Sequence, residues 1–138
     1  MKKSYYFDTS IWLDFLEDRN EPNLPKSDWV MKLIQKTIKE NDTILFSNLN
    51  MLELVNLDYT RYEITEILRS LKPIIKMVFT TPKEVKRAKD LSSKRSVPKA
   101  DALHSLIARN YKSILVTLDH DFNQLQDISK PYRTNELI

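Results

Sequence analysis

Residues 113–121 read Ser-Ile-Leu-Val-Thr-Leu-Asp-His-Asp. The run of Ile, Leu and Val is typical of a strand that is covered on both faces, as in a parallel sheet. Asp119 and Asp121 follow this run at once, although a carboxylate beside a buried run is costly unless it has a partner. The end of this predicted strand is therefore a candidate site for carboxylate chemistry.

Three other acidic residues stand at the edges of apolar runs. Asp8 follows the aromatic run at 5–7, Glu53 interrupts the apolar run at 51–55, and Asp101 opens the run at 102–108. A divalent cation is the simplest partner that several such carboxylates can share, because hard cations prefer oxygen ligands. In a two-metal site, the ions activate a water and neutralise charge on a scissile phosphate. The pattern favours a metal-dependent enzyme.

Apolar runs alternate with helical patterns along the whole chain, which predicts an α/β fold with a parallel sheet covered on both faces. In such a sheet the functional crevice lies beyond the carboxyl ends of the strands, so we expect Asp8 and Asp119 to project into it. Spacing alone does not bring Glu53 and Asp101 there. The predicted strands are 5–7, 43–46, 74–80 and 113–117, the helices are 10–17, 28–40, 49–59, 62–71, 82–93 and 99–110, and the tail 128–138 is expected to supply an edge strand or a packing segment.

Local signals suggest which polar residues cap helices and which serve the site. Thr9 or Ser10 is expected to cap the first helix. Residues 121–124 resemble a capping box, so Asp121 is expected to be a cap, and Asp119 is preferred as the fourth metal ligand. His104 and His120 lack the spacing of zinc ligands and are expected at a polar rim.

Composition limits the remaining possibilities. The chain of 138 residues has 41% apolar and 30% charged residues, so we expect one domain spanning 1–138. It has no cysteine, which excludes thiolate catalysis and Cys-based metal sites, and no glycine, which excludes a Gly-rich nucleotide loop. No membrane span or secretory leader is evident, so we expect the protein in the cytoplasm.

One segment is strongly basic. Residues 83–99 carry seven cations and two anions, a net +5 in a chain of net +3. From charge alone, a solvated helix face and a phosphate-binding strip are equally reasonable, but the strip lies immediately before Asp101. We therefore predict that it binds RNA phosphates through Lys86, Arg87, Lys94, Arg95 and Lys99.

The acidic motifs occur in a familiar order. Phe7-Asp-Thr-Ser-Ile-Trp-Leu13, Met51-Leu-Glu-Leu-Val55, Asp101-Ala-Leu-His104 and Val116-Thr-Leu-Asp-His-Asp-Phe122 together resemble the PIN-domain ribonucleases, and most closely the VapC toxins of bacterial type II toxin–antitoxin systems. The resemblance covers nearly the whole chain. It implies a three-layer α/β/α fold with a central parallel sheet of four to five strands.

The resemblance also implies an activity and partners. These are endoribonuclease activity that depends on Mg²⁺ or Mn²⁺, a homodimer, and inhibition by a small antitoxin. Asp8, Glu53 and Asp101 match the first three acids of the family, and either Asp119 or Asp121 matches the fourth. The residues whose hydroxyl groups match positions that support the metal site are Thr9, Ser10 and Thr117.

Two other functions stay open at this point. The first is a catalytically silent module that binds RNA or protein, although acids at all four motif positions argue against it. The second is a phosphotransferase or phosphatase that uses Asp8 as its nucleophile. That chemistry normally has a second aspartate two residues further on, where this chain has Ser10.

Overall fold

The computed structural model describes residues 2–138 and contains one sheet of five parallel strands. The strand order is β3-β2-β1-β4-β5, so β1 lies at the centre, between β2 and β4. The parallel register aligns Phe7 with Val116, so the residues after β1 and β4 emerge at the same edge. The strands are β1 (Ser4–Phe7), β2 (Thr43–Ser47), β3 (Ile75–Val78), β4 (Ile114–Val116) and β5 (Pro131–Tyr132).

Helices cover both faces of this sheet. Alternate residues of β1 enter different cores: Tyr6 packs with residues of α5 and α6, whereas Tyr5 and Phe7 pack with residues of α1 to α4. The predicted three-layer α/β/α fold is therefore confirmed. The helices are α1 (Thr9–Leu16), α2 (Lys26–Glu40), α3 (Asn48–Asn56), α4 (Arg61–Ser70), α5 (Pro82–Arg95) and α6 (Lys99–Asn110), and short 3₁₀ helices span Lys72–Ile74, His120–Leu125 and Thr134–Glu136.

Several predicted boundaries shift in the structure. Helix α1 starts at Thr9 because Asp8 is its cap, so the expectation that Thr9 or Ser10 caps it is wrong. Strand β3 is shorter than predicted, since a 3₁₀ turn precedes it. The tail supplies the short edge strand β5, as expected.

The turns lack glycine, and other residues adopt the left-handed conformation in its place. Ser96 does so between α5 and α6, with φ of 55°, and Lys112 does so before β4, with φ of 53°. Asn110 is the last residue of α6 and does not adopt this conformation. Among residues 2–138, no helix combines the length and the hydrophobicity that a membrane crossing requires.

Candidate active site

Asp8 lies at the end of β1 and is almost fully buried, with 4% exposure. Its Oδ1 accepts hydrogen bonds from the backbone N–H of Ile11 at 3.1 Å and from Ser10 Oγ at 2.7 Å. Its Oδ2 accepts from Thr117 Oγ1 at 2.7 Å. Burial raises the pKa of Asp8, and these hydrogen bonds oppose the rise. Asp8 therefore caps α1 and also belongs to the polar site.

Thr117 joins the ends of β1 and β4. Besides donating to Asp8, its Oγ1 accepts a hydrogen bond from the backbone N–H of Asp119 at 3.0 Å. Thr117 is 2% exposed, so its hydroxyl satisfies groups that water does not reach. Thr117 and Ser10 thus contact Asp8 directly, as residues that support a metal site would do.

Glu53 reaches the site from α3, and its side chain is 29% exposed. Its Oε1 accepts hydrogen bonds from Thr9 Oγ1 and from His104 Nε2, each at 2.6 Å. Burial opposes ionisation of Glu53, but its hydrogen bonds with His104 and Thr9 hold the pKa of Glu53 below its usual value. Glu53 is therefore ionised and held on one oxygen.

The other three acids form a cluster of their own. Asp101, Asp119 and Asp121 each offer a carboxylate oxygen, and these oxygens all lie within 4.8 Å of one another. Asp119 Oδ1 accepts from the backbone N–H of Asp121 at 2.9 Å and so caps the 3₁₀ helix. The expectation that Asp121 is the cap is therefore wrong.

Asp101 is the least satisfied acid of the cluster. It lies in the first turn of α6, and its Oδ2 is buried without a hydrogen-bond partner in the described chain. The pKa of Asp101 is raised to about 7, mainly by burial and then by the charge of Asp119, with smaller contributions from the charges of Asp8 and Asp121. A buried oxygen without a donor, among like charges, is the environment that a bound cation relieves.

The donor set fits a hard divalent cation. The cluster offers only carboxylate oxygens, which suit Mg²⁺ or Mn²⁺ better than a softer metal. The group within 4.8 Å consists of Asp101, Asp119 and Asp121. Asp8 lies close enough for its charge to raise the pKa of Asp101. Glu53 contacts His104, which lies on α6, the helix that also carries Asp101. The roles of the five acids in catalysis and metal binding stay predictions.

His104 is the main residue whose position the sequence interpretation missed. It was expected at a polar rim, but it is 2% exposed and its Nδ1 lies 2.6 Å from the hydroxyl of Tyr6. The sequence held one signal, since residues 102–108 form a continuous buried stretch around it. A histidine inside such a stretch requires polar partners. His120 is exposed.

The five predicted RNA-binding cations divide into two groups. Lys94, Arg95 and Lys99 flank the turn between α5 and α6, at the Asp101 end of α6. Both terminal nitrogens of Arg95 donate to the carboxylate oxygens of Asp127, at 2.7 and 2.8 Å. Lys94 Nζ lies 3.1 Å from Asp90 Oδ2. The second group, Lys86 and Arg87, lines a separate groove of about 1060 Å³.

That groove runs along α5 from Lys83 to Ser93 and reaches the end of α6 that is away from Asp101. It is bordered by Asn110, which donates to Glu84 Oε2 at 2.7 Å, and by the exposed ring of Phe79. Asn110 is nine residues from Asp101 along α6, or about 13 Å at 1.5 Å per residue. The predicted strip is therefore interrupted by ion pairs and extends away from the acids.

Solved structures with the same fold include several toxin–antitoxin complexes. VapBC2 from Rickettsia felis, bound to a DNA fragment from its promoter, matches with a TM-score of 0.64 and 17% identity, over 94% of this chain and 98% of that chain. VapBC-1 from nontypeable Haemophilus influenzae matches with a TM-score of 0.65 and 16% identity, over 96% and 98%. A toxin–antitoxin complex from Klebsiella pneumoniae gives 0.62 and 15%, over 94% and 97%.

At such low identities these similarities show the fold alone. A comparison with the sequences of curated proteins gives no match. The family model for the PIN domain, in contrast, matches residues 5–128, which include all five acids of the site. The family predicted from the order of the acidic motifs is thus confirmed, and the chain belongs to the PIN domain family.

Proposed function

We propose that residues 1–138 form a single nuclease domain that hydrolyses RNA phosphodiester bonds with the help of Mg²⁺ or Mn²⁺. One observation carries the proposal: the carboxylates of Asp101, Asp119 and Asp121 converge within 4.8 Å, and one buried oxygen of Asp101 has no protein donor in the described chain. Membership of the PIN domain family supports the same activity.

The roles of the residues follow from their environments. Asp101, with Asp119 or Asp121, would hold the cation, and Asp8 and Glu53 would complete the site from the neighbouring strand and helix. When bound, the cation supplies a water activated at neutral pH and neutralises charge on the scissile phosphate. Ser10 and Thr117 keep the Asp8 carboxylate in place, and Thr9 does the same for Glu53.

The test is cleavage of an RNA substrate with and without metal. We expect cleavage in Mg²⁺ or Mn²⁺, loss of cleavage in EDTA, and recovery when excess Mn²⁺ is restored. Persistent cleavage in EDTA would overturn the metal-dependent mechanism. RNA binding without cleavage under every metal condition would instead favour the silent binding module.

A phosphotransferase that uses Asp8 as nucleophile is less well supported. Both oxygens of Asp8 accept hydrogen bonds, and the residue is 4% exposed. A nucleophilic carboxylate needs an oxygen that its substrate can approach. Trapping of a phosphoaspartate at Asp8 would nevertheless reverse this preference.

RNA would approach the acids past the turn between α5 and α6. Lys99 is two residues before Asp101, and Lys94 lies at the end of α5. Lys86 and Arg87, which line the groove along α5, would contact a more distant part of the same RNA strand. Each phosphate contact contributes about 0.7 to the slope of log affinity against log salt for a single strand.

This division can be measured by RNA binding across a salt series. We expect Lys94→Glu/Lys99→Glu to weaken binding and to flatten the slope by about 1.4, or 0.7 for each lost contact. Lys2→Glu/Lys39→Glu is the matched control, since both lysines lie outside the basic segment. An unchanged salt slope in the first variant would remove these lysines from the RNA interface.

The chain would act as the toxin of a type II toxin–antitoxin pair in the cytoplasm. Support comes from the similar solved structures, which are VapBC and toxin–antitoxin complexes. A small antitoxin would then bind the chain and inhibit cleavage, and the active toxin would be a homodimer. Co-expression with the product of the adjacent reading frame, followed by co-purification and a cleavage assay, tests the partner; sedimentation of the chain alone tests the dimer.

A further inference from the structure

We propose that His104 is a positioning residue, which a buried chain of hydroxyl groups orients so that it holds Glu53 by one oxygen and leaves the other oxygen to the cation. The inference rests on the proposed function, because it assigns Glu53 to a metal site. The residues concerned come from four different elements, β1, β2, α3 and α6. Their connection is visible only in the folded chain.

The hydrogen-bonded chain runs from β2 through β1 and α6 to α3. Ser47 Oγ lies 2.8 Å from the hydroxyl of Tyr6, that hydroxyl lies 2.6 Å from His104 Nδ1, and His104 Nε2 lies 2.6 Å from Glu53 Oε1. Ser47 and Tyr6 have 0% exposure and His104 has 2%. We call this set of four residues the Ser47–Glu53 relay. Its interior members therefore depend on one another for hydrogen bonds.

The hydrogen positions follow from the chemistry of the end groups. Glu53 Oε1 is a carboxylate oxygen and can only accept, so His104 Nε2 must carry a hydrogen. When the imidazole carries its hydrogen on Nε2, Nδ1 is an acceptor, and the Tyr6 hydroxyl donates to it. Burial raises the pKa of Tyr6 well above its usual value, so the phenol keeps its hydrogen for this bond. The single hydroxyl hydrogen of Ser47 has two acceptors within reach, the Tyr6 oxygen at 2.8 Å and Asn50 Oδ1 at 3.1 Å, and the shorter contact is the one to Tyr6.

The far end of the relay is fixed by the cap of α3. Asn50 Oδ1 accepts from the backbone N–H of Ser47 at 2.9 Å, and the backbone N–H of Asn50 donates to Ser47 Oγ at 3.1 Å. Asn50 Nδ2 also donates to Thr9 Oγ1 at 3.0 Å, and Thr9 donates to Glu53. Two routes from one capping box thus meet at the same oxygen, Glu53 Oε1. A glutamate side chain with three rotatable bonds is thereby held in one place.

The consequence for metal binding lies in the second oxygen. Within residues 2–138, Glu53 Oε2 accepts no hydrogen bond, while Oε1 accepts two. Glu53 can therefore offer Oε2 to a cation or to its bound water without losing its own supports. Groups that orient a metal-binding carboxylate in this way typically change metal affinity or activity by 10–100-fold when removed.

The first experiment measures Mn²⁺ binding by calorimetry and by the signal of free Mn²⁺ in electron paramagnetic resonance. We expect His104→Leu to bind Mn²⁺ about 10-fold more weakly than the wild type. His104→Gln, whose amide N–H can replace the Nε2 donor, should recover much of the affinity. Tyr6→Phe should also weaken Mn²⁺ binding, because it removes the hydroxyl that contacts His104 Nδ1, while both Glu53 and His104 remain in the chain.

Tyr5→Phe is the matched control. Tyr5 is the neighbouring residue of β1, but it packs in the opposite core. It should bind Mn²⁺ like the wild type, and circular dichroism should show folded protein for every variant compared. Wild-type affinity in both folded His104→Leu and folded Tyr6→Phe would overturn the relay while leaving the metal site intact. Absence of Mn²⁺ binding by the wild type would instead overturn the proposed function.

The second experiment observes the imidazole in the metal-free protein and leaves His104 and its hydrogen-bond partners unchanged. The chain contains two histidines, so the long-range ¹H–¹⁵N spectrum is simple to assign with His120→Ala as reference. We expect His104 to carry its hydrogen on Nε2 and to show a slowly exchanging N–H, because both nitrogens are buried. A spectrum in which Nε2 carries no hydrogen would overturn the proposal.

Discussion

The acids of the site fall into two groups with opposite environments. Asp8 and Glu53 accept three and two hydrogen bonds from side chains or backbone, which stabilise their ionised forms. Asp101, Asp119 and Asp121 lie against one another, and burial together with these charges raises the pKa of Asp101 to about 7. The first group is supported by hydrogen bonds from the protein, whereas in the second Asp119 accepts one, from the backbone N–H of Asp121, and the buried Oδ2 of Asp101 has no donor in the described chain.

Under the proposed function, this difference would let one site combine rigidity with affinity for a cation. The supported carboxylates are held by protein hydrogen bonds and need no ion to remain in place. The repelling carboxylates have an unfavourable interaction that a bound cation would remove, and this relief would contribute to its binding. Substitutions in the two groups should therefore change stability in opposite directions.

Asp101→Asn should have the largest effect. We expect RNA cleavage to fall at least about 100-fold, the scale on which a group that activates the nucleophile contributes. The metal-free variant should melt at a higher temperature than the wild type, because like-charge repulsion is removed. Cleavage rates and thermal melts in EDTA measure the two effects.

The control for this prediction is Asp58→Asn. Asp58 adopts a left-handed conformation with φ of 72°, which asparagine also tolerates, and it lies outside the cluster. It should keep wild-type activity and melting temperature. If Asp101→Asn remained fully active, the repelling group would not serve catalysis.

Added Mn²⁺ should stabilise the wild type by an amount that depends on the repelling group. At a free Mn²⁺ concentration of 100 times Kd, binding contributes about 2.7 kcal/mol to the free energy of unfolding. Asp119→Asn and Asp121→Asn should each be compared with the wild type in melts over a Mn²⁺ series. The one that loses more of the increase is the fourth ligand, and we expect it to be Asp119. If Mn²⁺ raised the melting temperature of both variants as much as that of the wild type, neither Asp119 nor Asp121 would be a metal ligand.

Thr117→Val tests the supported group. The substitution leaves Asp8 Oδ2 and the backbone N–H of Asp119 without their shared hydroxyl, in a place that is 2% exposed. An unsatisfied buried group costs about 1–3 kcal/mol, so the variant should be less stable both in EDTA and in Mn²⁺. Chemical denaturation measures this cost, with Thr43→Val at the start of β2 as the control. A variant as stable as the wild type would mean that Asp8 does not need this support.

The smallest effect is the pH dependence of the metal-free protein. With a pKa of about 7 in the folded state and near 4 when unfolded, Asp101 is protonated in both states at low pH. Between about pH 4 and pH 7 only the unfolded chain releases this proton, so the contribution of Asp101 to stability falls as pH rises through that window and is constant above it. Asp14, with a pKa raised to about 6 by burial, acts in the same direction.

Denaturation curves in EDTA between pH 4 and pH 8 check this dependence. The difference between wild type and Asp101→Asn isolates Asp101, because Asp14 is present in both. The fall should be shallower for the variant. Parallel curves for the two proteins would show that Asp101 ionises normally in the folded state.

The sequence predicted the parts of this molecule that depend on local pattern. The parallel α/β fold follows from alternating apolar runs, and the motif acids stand where those runs end. The order of strands places Phe7 beside Val116, which brings the residues after two distant runs together. This part of the site could be predicted from the rule that the functional crevice of a parallel sheet lies beyond the carboxyl ends of its strands.

The rest depends on partners that no local pattern reveals. Tyr6 and His104 are 98 residues apart, and Asp8 and Thr117 are 109 apart. The predicted N-cap residue was also wrong for two helices, α1 and the 3₁₀ helix His120–Leu125. Their caps are Asp8 and Asp119, which also belong to the candidate site. Sequence signals for caps and for ligands use the same residue types, so spacing could not separate the two roles.

The absence of glycine has a consequence for the unfolded chain. Every residue of this protein carries a Cβ, which reduces the number of backbone conformations that are lost on folding, by roughly 0.4–1 kcal/mol at each site where glycine would otherwise stand. At Ser96 and Lys112 this gain is more than offset, since a left-handed conformation costs about 1–2 kcal/mol without glycine. The turns that lead into α6 and β4 are therefore slightly unfavourable in the folded state, but the chain that forms them is restricted in conformation before folding begins.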